Sequence, residues 1–378
     1  MTKAVVIGGG IGGLTAAISL RRAGVEAVVF ERARELREVG AGIALWANAA
    51  KALRRLGLYE AVRDRAAEIG GETRNWRGKR LFTIPADAMR SRFGDANLVM
   101  HRADLQATLL AALPEDAVIL GTGLESFSQE RETVVARFSG GGEESAELLV
   151  GADGLRSTVR ARILGDGPPR YAGFTAWRGI AEGVEGLAPD GVGLNLWGRG
   201  MEFGLISIGH GRAYWYLSRN APEGEGQSGR KGEVLGHLRG WYGAARAAVE
   251  ATDSTRILRN DIYDREPAGR WGEGNATLLG DAAHPMTPNL GQGACQAIED
   301  AVVLADAVRE TDSAAAALRS YEARRIARTS AVVRASRSMA RVLQVEAPLL
   351  CGVRDLSVRL MPDGVRMKRL DPIVGYEV

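Results

Sequence analysis

The sequence predicts an α/β fold: a Rossmann-like nucleotide-binding domain, an inserted antiparallel β-sheet and a helical C-terminal region. Three features of the 378 residues predict it. A glycine-rich turn joins a β-rich run to a helical pattern at the N-terminus. Two later buried-strand patterns end in an acidic residue beside glycine, and a central stretch reads as short aromatic strands. Helical periodicity takes over from about residue 294 to the end.

The N-terminal pattern predicts a β-α-β unit that binds a dinucleotide. The apolar run Ala4–Ile7 leads into the motif G-x-G-x-x-G. Its glycines Gly8, Gly10 and Gly13 serve a tight turn, close approach of the backbone to a pyrophosphate, and packing of helix on strand. Glu31 stands eighteen residues after Gly13, where a carboxylate can accept both hydroxyls of an adenosine ribose. A glycine turn with a structural role only is the alternative, and the motif does not separate NAD from FAD.

Two later segments bring polar loops to the same edge of the predicted sheet. One buried-strand pattern breaks into D-G-x-x-S-x-x-R, which runs from Asp153 to Arg160. Another ends at Asp281 and is followed by a glycine-proline loop and a helix that opens near Ala294. Ligands of parallel α/β sheets bind beyond the carboxyl ends of the strands. We therefore expect both loops to meet the N-terminal glycine turn.

Together the three segments resemble the single-component FAD-dependent aromatic hydroxylases, the p-hydroxybenzoate hydroxylase-like flavin monooxygenases, over most of the chain. The resemblance implies FAD as cofactor, with Asp281 on its ribityl chain and 288–293 along its isoalloxazine ring. Arg102 matches an arginine that reaches the flavin, and Gly42 matches a loop that passes over it. The cofactor-binding residues that the motifs and the resemblance predict are Gly8, Gly10, Ile11, Gly12, Gly13, Glu31, Arg32, Gly42, Arg102, Leu124, Asp153, Gly154, Arg160, Asp281, Pro288, Gly291, Gln292, Gly293 and Ala294.

Some of these residues also have ordinary structural interpretations. Asp281 could cap a helix, Arg160 could be a solvated helix residue, and Arg102 could be a surface arginine. The resemblance links the segment that starts at Asp153 to both FAD and nicotinamide binding.

The resemblance also divides the chain into domains. The expected parts are a discontinuous Rossmann-like FAD-binding domain (1–75, 97–165 and 265–325), a substrate domain (76–96 and 166–264) and a C-terminal helical region (326–378). Four strand patterns with aromatic residues, between 172 and 217, predict an antiparallel sheet that walls a substrate cavity.

The implied activity is an FAD-dependent monooxygenase that uses NADH or NADPH and O2 to hydroxylate a phenolic or hydroxybenzoate-like ring through a flavin C4a-hydroperoxide. The nicotinamide has no dinucleotide domain of its own, because no second strand-embedded G-x-G-x-x-G occurs. A mobile flavin or the loop about Gly40 to Trp46 would exclude water. Alternatives are an alkene epoxidase or a saturating reductase on the same fold, and a non-catalytic flavin-binding protein. A halogenase is disfavoured because its W-x-W-x-I-P segment is missing.

No catalytic base can be assigned from the sequence. The candidates in the presumed cavity are His210, Tyr214, Tyr216 and Arg178, and each also suits a structural role. His284 has no titratable partner nearby in sequence, so we do not place it in the chemistry. Glu202 falls about where urate hydroxylases of this family present an arginine to their anionic substrate. A carboxylate there would repel such an anion, so the sequence argues against urate.

Composition sets the remaining expectations. Hydrophobic content of 46% and charged content of 25% suit a globular protein, and a net charge of +3 is no nucleic-acid footprint. Cys295 and Cys351 form neither a disulfide framework nor a metal motif, and the histidines are scattered singly, so we expect no metal and a cytoplasmic location. No apolar run of about 18 residues predicts an integral membrane helix. Either a monomer or a homodimer is expected.

Overall fold

The computed structural model describes residues 1–36, 41–187, 189, 191–209, 211–225 and 230–378. The candidate base His210 and the Gly40 end of the expected flavin loop lie outside the described residues.

The strands and helices that the sequence patterns predicted are present, together with others that were not predicted, among them two helices between 230 and 250. The strands are β1 (Lys3–Ile7), β2 (Glu26–Phe30), β3 (Gly42–Leu45), β4 (Ala67–Asn75), β5 (Arg80–Ile84), β6 (Asn97–His101), β7 (Val118–Ile119), β8 (Leu124–Glu130), β9 (Thr133–Phe138), β10 (Glu143–Ala146), β11 (Leu148–Gly151), β12 (Arg170–Glu182), β13 (Val192–Trp197), β14 (Met201–Ser207), β15 (Arg212–Asn220), β16 (Leu258–Asp264) and β17 (Ala276–Leu278). The α-helices are α1 (Ile11–Arg22), α2 (Ala47–Arg55), α3 (Tyr59–Arg63), α4 (Ala86–Phe93), α5 (Arg102–Leu110), α6 (Thr158–Leu164), α7 (Arg230–His237), α8 (Gly243–Glu250), α9 (Gly293–Arg309), α10 (Ala314–Leu343), α11 (Pro348–Leu360) and α12 (Asp363–Val374).

A five-stranded parallel sheet forms the predicted Rossmann-like core, in the order β17-β11-β1-β2-β7. Its strands are mostly apolar because helices and a second sheet cover both faces. Ile7 pairs with Gly151, and Gly151 pairs with Leu278, so β1, β11 and β17 end at one level. The three loops that the sequence singled out therefore leave the sheet along one edge, which confirms the predicted α/β arrangement.

Helices α1 and α9 pack closely on this sheet. A Cβ built on Gly12 would lie 3.3 Å from the Cβ of Ala297. Small residues on both helices permit that approach, and the buried side chains of the two helices join the same apolar core. A three-stranded antiparallel sheet, β10-β9-β8, lies beside the parallel sheet, with Phe138 stacked on Phe30 at 4.2 Å between ring centroids.

The larger sheet has nine strands. Eight of them lie side by side in the spatial order β16-β12-β15-β14-β13-β4-β6-β3, and the ninth, β5, pairs with β4. Its central part is the predicted antiparallel sheet. The parallel pairing of β13 with β4 joins it to strands from the segment expected in the FAD domain. The sheet thus continues past the predicted domain boundary. The sequence did not predict this pairing, because pairing between distant segments cannot be deduced from either segment alone. The boundaries themselves stay a prediction.

The C-terminal region is helical, as predicted. Helix α10 spans 30 residues, begins with the Ser313 hydroxyl accepting from the Ala316 N–H, and buries a stripe that includes Tyr321, Arg325 and Thr329. Helix α11 exposes several leucines and valines on its outer face.

Two negative findings concern only the described residues. None of the helices described is long and apolar enough to cross a membrane. Within the same residues, no group of three or more His, Cys, Asp or Glu side chains could hold a metal ion.

Candidate active site

A cavity of about 680 Å³ lies between the carboxyl edge of the parallel sheet and one face of the nine-stranded sheet. Many of the predicted residues line it: Gly10, Ile11, Gly12, Gly42, Arg102, Gly154, Asp281, Pro288, Gly291, Gly293, Ala294, Arg178, Tyr214 and Tyr216. Others lie off its wall: Gly8, Gly13, Glu31, Arg32, Leu124, Asp153, Arg160 and Gln292. The tertiary structure therefore brings the three sequence segments to one place.

The glycine turn after β1 requires two of its glycines for packing and leaves the third open. Gly8 has φ of +108°, and a Cβ there would lie 2.5 Å from the Ala152 carbonyl oxygen. A Cβ on Gly13 would lie 1.8 Å from the Gly8 carbonyl oxygen. A Cβ on Gly10 would meet nothing within 4 Å. Because α1 starts directly after Gly10 with no side-chain cap, its free N–H groups suit a pyrophosphate.

Glu31 is held at the end of β2 by two backbone donors. Its Oε2 accepts from the Gly9 N–H at 2.7 Å and its Oε1 from the Ala33 N–H at 2.8 Å. Each oxygen keeps acceptor capacity for a ribose hydroxyl. A Cβ on Gly123 would lie 3.3 Å from the Cβ of Arg32, so Arg32 and the strand that starts at Leu124 border the same place.

Asp281 lines the cavity, and its side chain is exposed there. Burial raises the pKa of Asp281, against the opposing charges of His284 and Arg102. None of the described residues donates a hydrogen bond to its carboxylate. A Cβ on Gly293 would lie 3.7 Å from its Oδ1, so only small residues border it on that side. A polyhydroxyl chain such as the ribityl group fits this unsatisfied acceptor.

A buried network of charged side chains holds the turn that carries Asp281, and the members of this network lie off the cavity wall. Asp300, on α9, accepts from the Gly280 N–H at 3.0 Å, from Arg325 Nε at 2.7 Å, and pairs with His284 Nε2 at 2.5 Å. Burial alone would raise the pKa of Asp300, but His284 and Arg325 hold it at about 2. His284 thus has a titratable partner sixteen residues along the chain, which the sequence did not reveal, and it lies off the cavity wall. Gln292 belongs to a neighbouring buried cluster, where its Oε1 accepts from Asn48 at 3.0 Å.

Arg160 contacts protein rather than the cavity. Its guanidinium donates to the carbonyl oxygens of Ala282 and Ala283 at 2.9 and 2.8 Å and pairs with Asp166. Arg160 therefore matches neither the predicted contact with the cofactor nor the alternative of a solvated helix residue. The buried side chain instead fixes the loop that follows Asp281, because it ties that loop to α6.

Asp153 anchors the start of α6. Its Oδ2 accepts from the Thr158 N–H at 2.7 Å and from the Val159 N–H at 3.3 Å, while its Oδ1 is buried without a donor in the described part of the chain. Desolvation raises the pKa of Asp153. The next residue, Gly154, has φ of +79° and reaches the cavity wall, so this turn needs a glycine there.

Two arginines put unpaired positive charge on the cavity wall. Neither the Arg102 nor the Arg178 guanidinium has a hydrogen bond or ion pair to any residue that the structure describes. Burial lowers the pKa of Arg102, with Asp281 opposing and Arg178 adding to the shift. The Arg102 N–H donates to the Ala41 carbonyl at 2.9 Å, which ties α5 to the strand that carries Gly42. A Cβ on Gly42 would lie 2.5 Å from the Tyr214 ring, so the absence of a side chain lets β3 lie against that ring.

A third group on the wall comes from the large sheet, where the candidate base Tyr216 meets Glu202 and Asn195, two residues that were not among the predicted catalytic or cofactor-binding residues. A Cβ on Gly204 would lie 2.0 Å from the Tyr216 ring, so this ring lies across the glycine. Its hydroxyl reaches Glu202 Oε1 at 3.2 Å, and Asn195 Nδ2 donates to the same oxygen at 2.8 Å. Burial raises the pKa of Glu202 and the pKa of Tyr216. The sequence signal that could have indicated this group was Glu202 itself, because it is an acidic residue in an otherwise apolar strand, two positions before Gly204.

The fold and the site together define an FAD-dependent monooxygenase. The family model described as "FAD binding domain" matches residues 1–336, and the chain belongs to that family. The relatives confirm the resemblance to the single-component FAD-dependent aromatic hydroxylases, and with it FAD as the cofactor.

Three comparisons specify the similarity. The chain is 42% identical over 359 residues to the aurachin C monooxygenase/isomerase of Stigmatella aurantiaca, covering 94% of each chain. It is 36% identical over 362 residues to the 3-hydroxybenzoate 6-hydroxylase of Klebsiella oxytoca, covering 90% of this chain and 88% of that protein. The structure of Klebsiella pneumoniae HpxO complexed with FAD and uric acid has a TM-score of 0.93 and 31% identity, covering 99% of this chain and 97% of that one.

Proposed function

We propose that this protein uses NADH or NADPH and O2 to hydroxylate an aromatic small molecule of the phenolic or hydroxybenzoate-like class. The observation that carries the proposal is one cavity lined both by the loop from Pro288 to Ala294 and by Arg178, Tyr214 and Tyr216 of the large sheet. One wall suits a flavin ring and the other an aromatic substrate with polar groups.

The residues of the chain have distinct roles in this proposal. The open backbone at Gly10 and the N-terminus of α1 hold the pyrophosphate, Glu31 holds the adenosine ribose, and Asp281 holds the ribityl hydroxyls. Bound FAD, once reduced, supplies the electrons that activate O2. Arg102 and Arg178 place positive charge where negative charge develops during the reaction. The two walls exclude water from the reacting centre.

The nicotinamide coenzyme is proposed to dock transiently at this cavity and leave. A cytoplasmic location is part of the proposal, since both cysteines are free and buried and need no oxidising compartment. Either a monomer or a homodimer is compatible with it.

We further infer that urate is not the substrate. The comparison structure named above holds uric acid, whereas the present cavity wall carries the carboxylate of Glu202. An anionic ring facing that carboxylate would be repelled in a poorly solvated cavity. Urate-dependent O2 consumption with stoichiometric product would overturn this inference.

A second activity is favoured by one observation. The relative at 42% identity is named a monooxygenase/isomerase. The same site could therefore oxygenate a ring double bond and allow the product to rearrange. An epoxide or a rearranged skeleton, in place of a phenol, would identify this activity.

The deciding experiment screens a panel of phenols, hydroxybenzoates and fused aromatic rings with the FAD-loaded protein. NADH or NADPH oxidation and O2 uptake are recorded together, and products are identified by mass spectrometry. We expect at least one ring to give hydroxylated product in proportion to the coenzyme oxidised. Stimulated oxidation that yields only hydrogen peroxide, for every ring tested, would contradict the proposal.

A further inference from the structure

The carboxylate of Glu202 is satisfied by protein on one oxygen only. Oε1 accepts from Asn195 Nδ2 at 2.8 Å and from the Tyr216 hydroxyl at 3.2 Å. None of the described residues donates a hydrogen bond of good geometry to Oε2. The residue is 3% exposed, yet it lines the cavity. Oε2 is not one of the fully buried polar atoms that lack a partner, and the residue lines the cavity, so this oxygen is open to the cavity and a ligand can donate to it.

The position of Glu202 places a ligand that donates to Oε2 beside the loop that starts at Pro288. Asn289, from that loop, is a hydrogen-bonding neighbour of the carboxylate and acts to lower its pKa. Arg354, on α11, and Tyr216 are the charged and titratable groups that act on it. Arg178 stands opposite Tyr216 on the next strand, so the unpaired cation lies farther along the wall. The wall therefore has an acceptor at one end and positive charge at the other.

We propose that Glu202 selects the substrate: the bound aromatic ring turns an O–H or N–H toward Glu202 Oε2, and Glu202 takes that proton as the ring is oxygenated. The proposal rests on the proposed aromatic hydroxylation. In the proton transfer, the O–H or N–H bond of the ring breaks and its electron pair stays on the ring heteroatom. The proton bonds to Oε2, and the ring becomes more electron-rich and more readily attacked by an electrophilic oxygen.

The raised pKa of Glu202 supports this role, because a carboxylate whose burial opposes ionisation is a stronger proton acceptor than an exposed one. Tyr216 and Asn195 would keep the carboxylate oriented by holding Oε1, which leaves Oε2 for the substrate. The site would then accept rings with a free donor and reject rings in which a methyl group caps that position.

The test uses the FAD-loaded protein with 1-naphthol and its capped analogue 1-methoxynaphthalene. Binding is measured as the change in the oxidised flavin absorbance, which needs no turnover. We expect the wild type to bind 1-naphthol at least about tenfold more tightly than the ether, the effect of one hydrogen bond to a charged group. In Glu202→Gln this ratio should fall by about tenfold.

Two further variants keep the result interpretable. Glu72→Gln changes a partly buried carboxylate of β4 that is paired with Arg74 away from the cavity, and it should keep the wild-type ratio. Tyr216→Phe removes one of the two donors that orient Glu202 but leaves the carboxylate in place, so its preference for 1-naphthol should fall less than in Glu202→Gln. Retained FAD absorbance shows that each variant is folded.

The outcomes separate this inference from the proposed function. Equal binding of the two probes by the wild type, no binding of 1-naphthol up to its solubility, or an unchanged ratio in Glu202→Gln would overturn the role of Glu202. Loss of the preference in Tyr216→Phe alone would transfer the role to the tyrosine and also overturn it. Hydroxylation of other rings would leave the proposed function standing in each of these cases. A Glu202-dependent preference with no oxygenated product from any ring would support the role of Glu202 in binding and contradict the proposed function.

Discussion

At the scale of single residues, three carboxylates in and near the cavity have different surroundings. Asp300 is surrounded by donors and cations, and its pKa is held at about 2. Asp281 and Glu202 face the cavity with unsatisfied oxygens, and burial raises the pKa of each. The first stabilises the protein, whereas the other two are available to ligands.

The pKa of Glu202 sets an expected pH dependence. Because the raised pKa keeps the carboxyl protonated at pH values where an exposed glutamate is ionised, its accepting form appears only above the ordinary 4.5. We expect kcat/KM for a hydroxylated ring to rise with pH through this raised pKa. The acid limb should disappear in Glu202→Gln, whose rate should be low and flat there. Measurement from roughly pH 4 to 8 checks this. An identical acid limb in the variant would assign it to another group.

Asp300 sets an expected dependence of stability on pH. Its folded pKa of about 2 lies below its ordinary 3.8, so its contribution is complete above 3.8 and is lost as pH falls toward 2. Asp300→Asn should lower the free energy of unfolding at neutral pH by about 3–5 kcal/mol, because Arg325 and His284 lose a buried counter-charge. Urea unfolding of the holoprotein at several pH values measures both effects.

Asp306→Asn is the matched control for that experiment. Asp306 lies on the same helix and pairs at the surface with Arg55 and Arg309. Its loss should cost less than about 1 kcal/mol. Equal losses in the two variants would show that the buried network has no special role.

At the scale of elements, close packing of backbone positions the cofactor loops. Gly13 brings the first turn of α1 against the end of β1, whereas Gly10 leaves backbone open to the cavity. In the large sheet, Gly204 lets the Tyr216 ring cross β14 and reach Glu202. Each of these glycines has a purpose that follows from its immediate neighbours.

Substitution by alanine separates two of these purposes. Gly13→Ala should destabilise the fold by about 1–3 kcal/mol or more, because its Cβ would lie 1.8 Å from the Gly8 carbonyl oxygen and the backbone must move. Gly10→Ala meets no protein atom within 4 Å and should keep the fold. It should nevertheless weaken FAD binding by about tenfold or more, because its methyl group occupies the space expected for the pyrophosphate. Thermal unfolding of the apoproteins and FAD titration measure the two effects. Unimpaired FAD binding by Gly10→Ala would remove this glycine from the cofactor site.

At the scale of the whole molecule, the candidate cofactor site joins distant parts of the chain. Its residues come from the N-terminal turn, from the start of α5, from the turn between β11 and α6, and from the loop before α9. The large sheet closes the other side. A ligand bound across these segments stabilises their common arrangement, since it binds the folded chain only.

FAD should therefore raise the unfolding temperature of the apoprotein. At a free concentration about 1,000 times its Kd, the gain is about 4 kcal/mol. Asp281→Ala should abolish most of this gain while the far-ultraviolet circular dichroism stays unchanged, because its carboxylate has no hydrogen bond to the described residues. Asp87→Ala, at the exposed start of α4, is the control and should behave as the wild type. A full FAD-dependent shift in Asp281→Ala would contradict the role of that residue.

The sequence by itself determined the local elements and the kind of cofactor site. The glycine spacing, the buried-strand patterns and the alternation of the aromatic strands are local properties, and the strands and helices formed where these properties predicted them. The tertiary structure decided which segments share one cavity wall. Arg160, Glu202 and Asp300 show why. Arg160 binds carbonyl oxygens more than a hundred residues away, and Asp300 pairs with His284 through helix packing. Glu202 lines the cavity because β14 pairs with β13 and β15. Strand register and helix packing set these contacts, and both depend on distant parts of the chain meeting in the folded state.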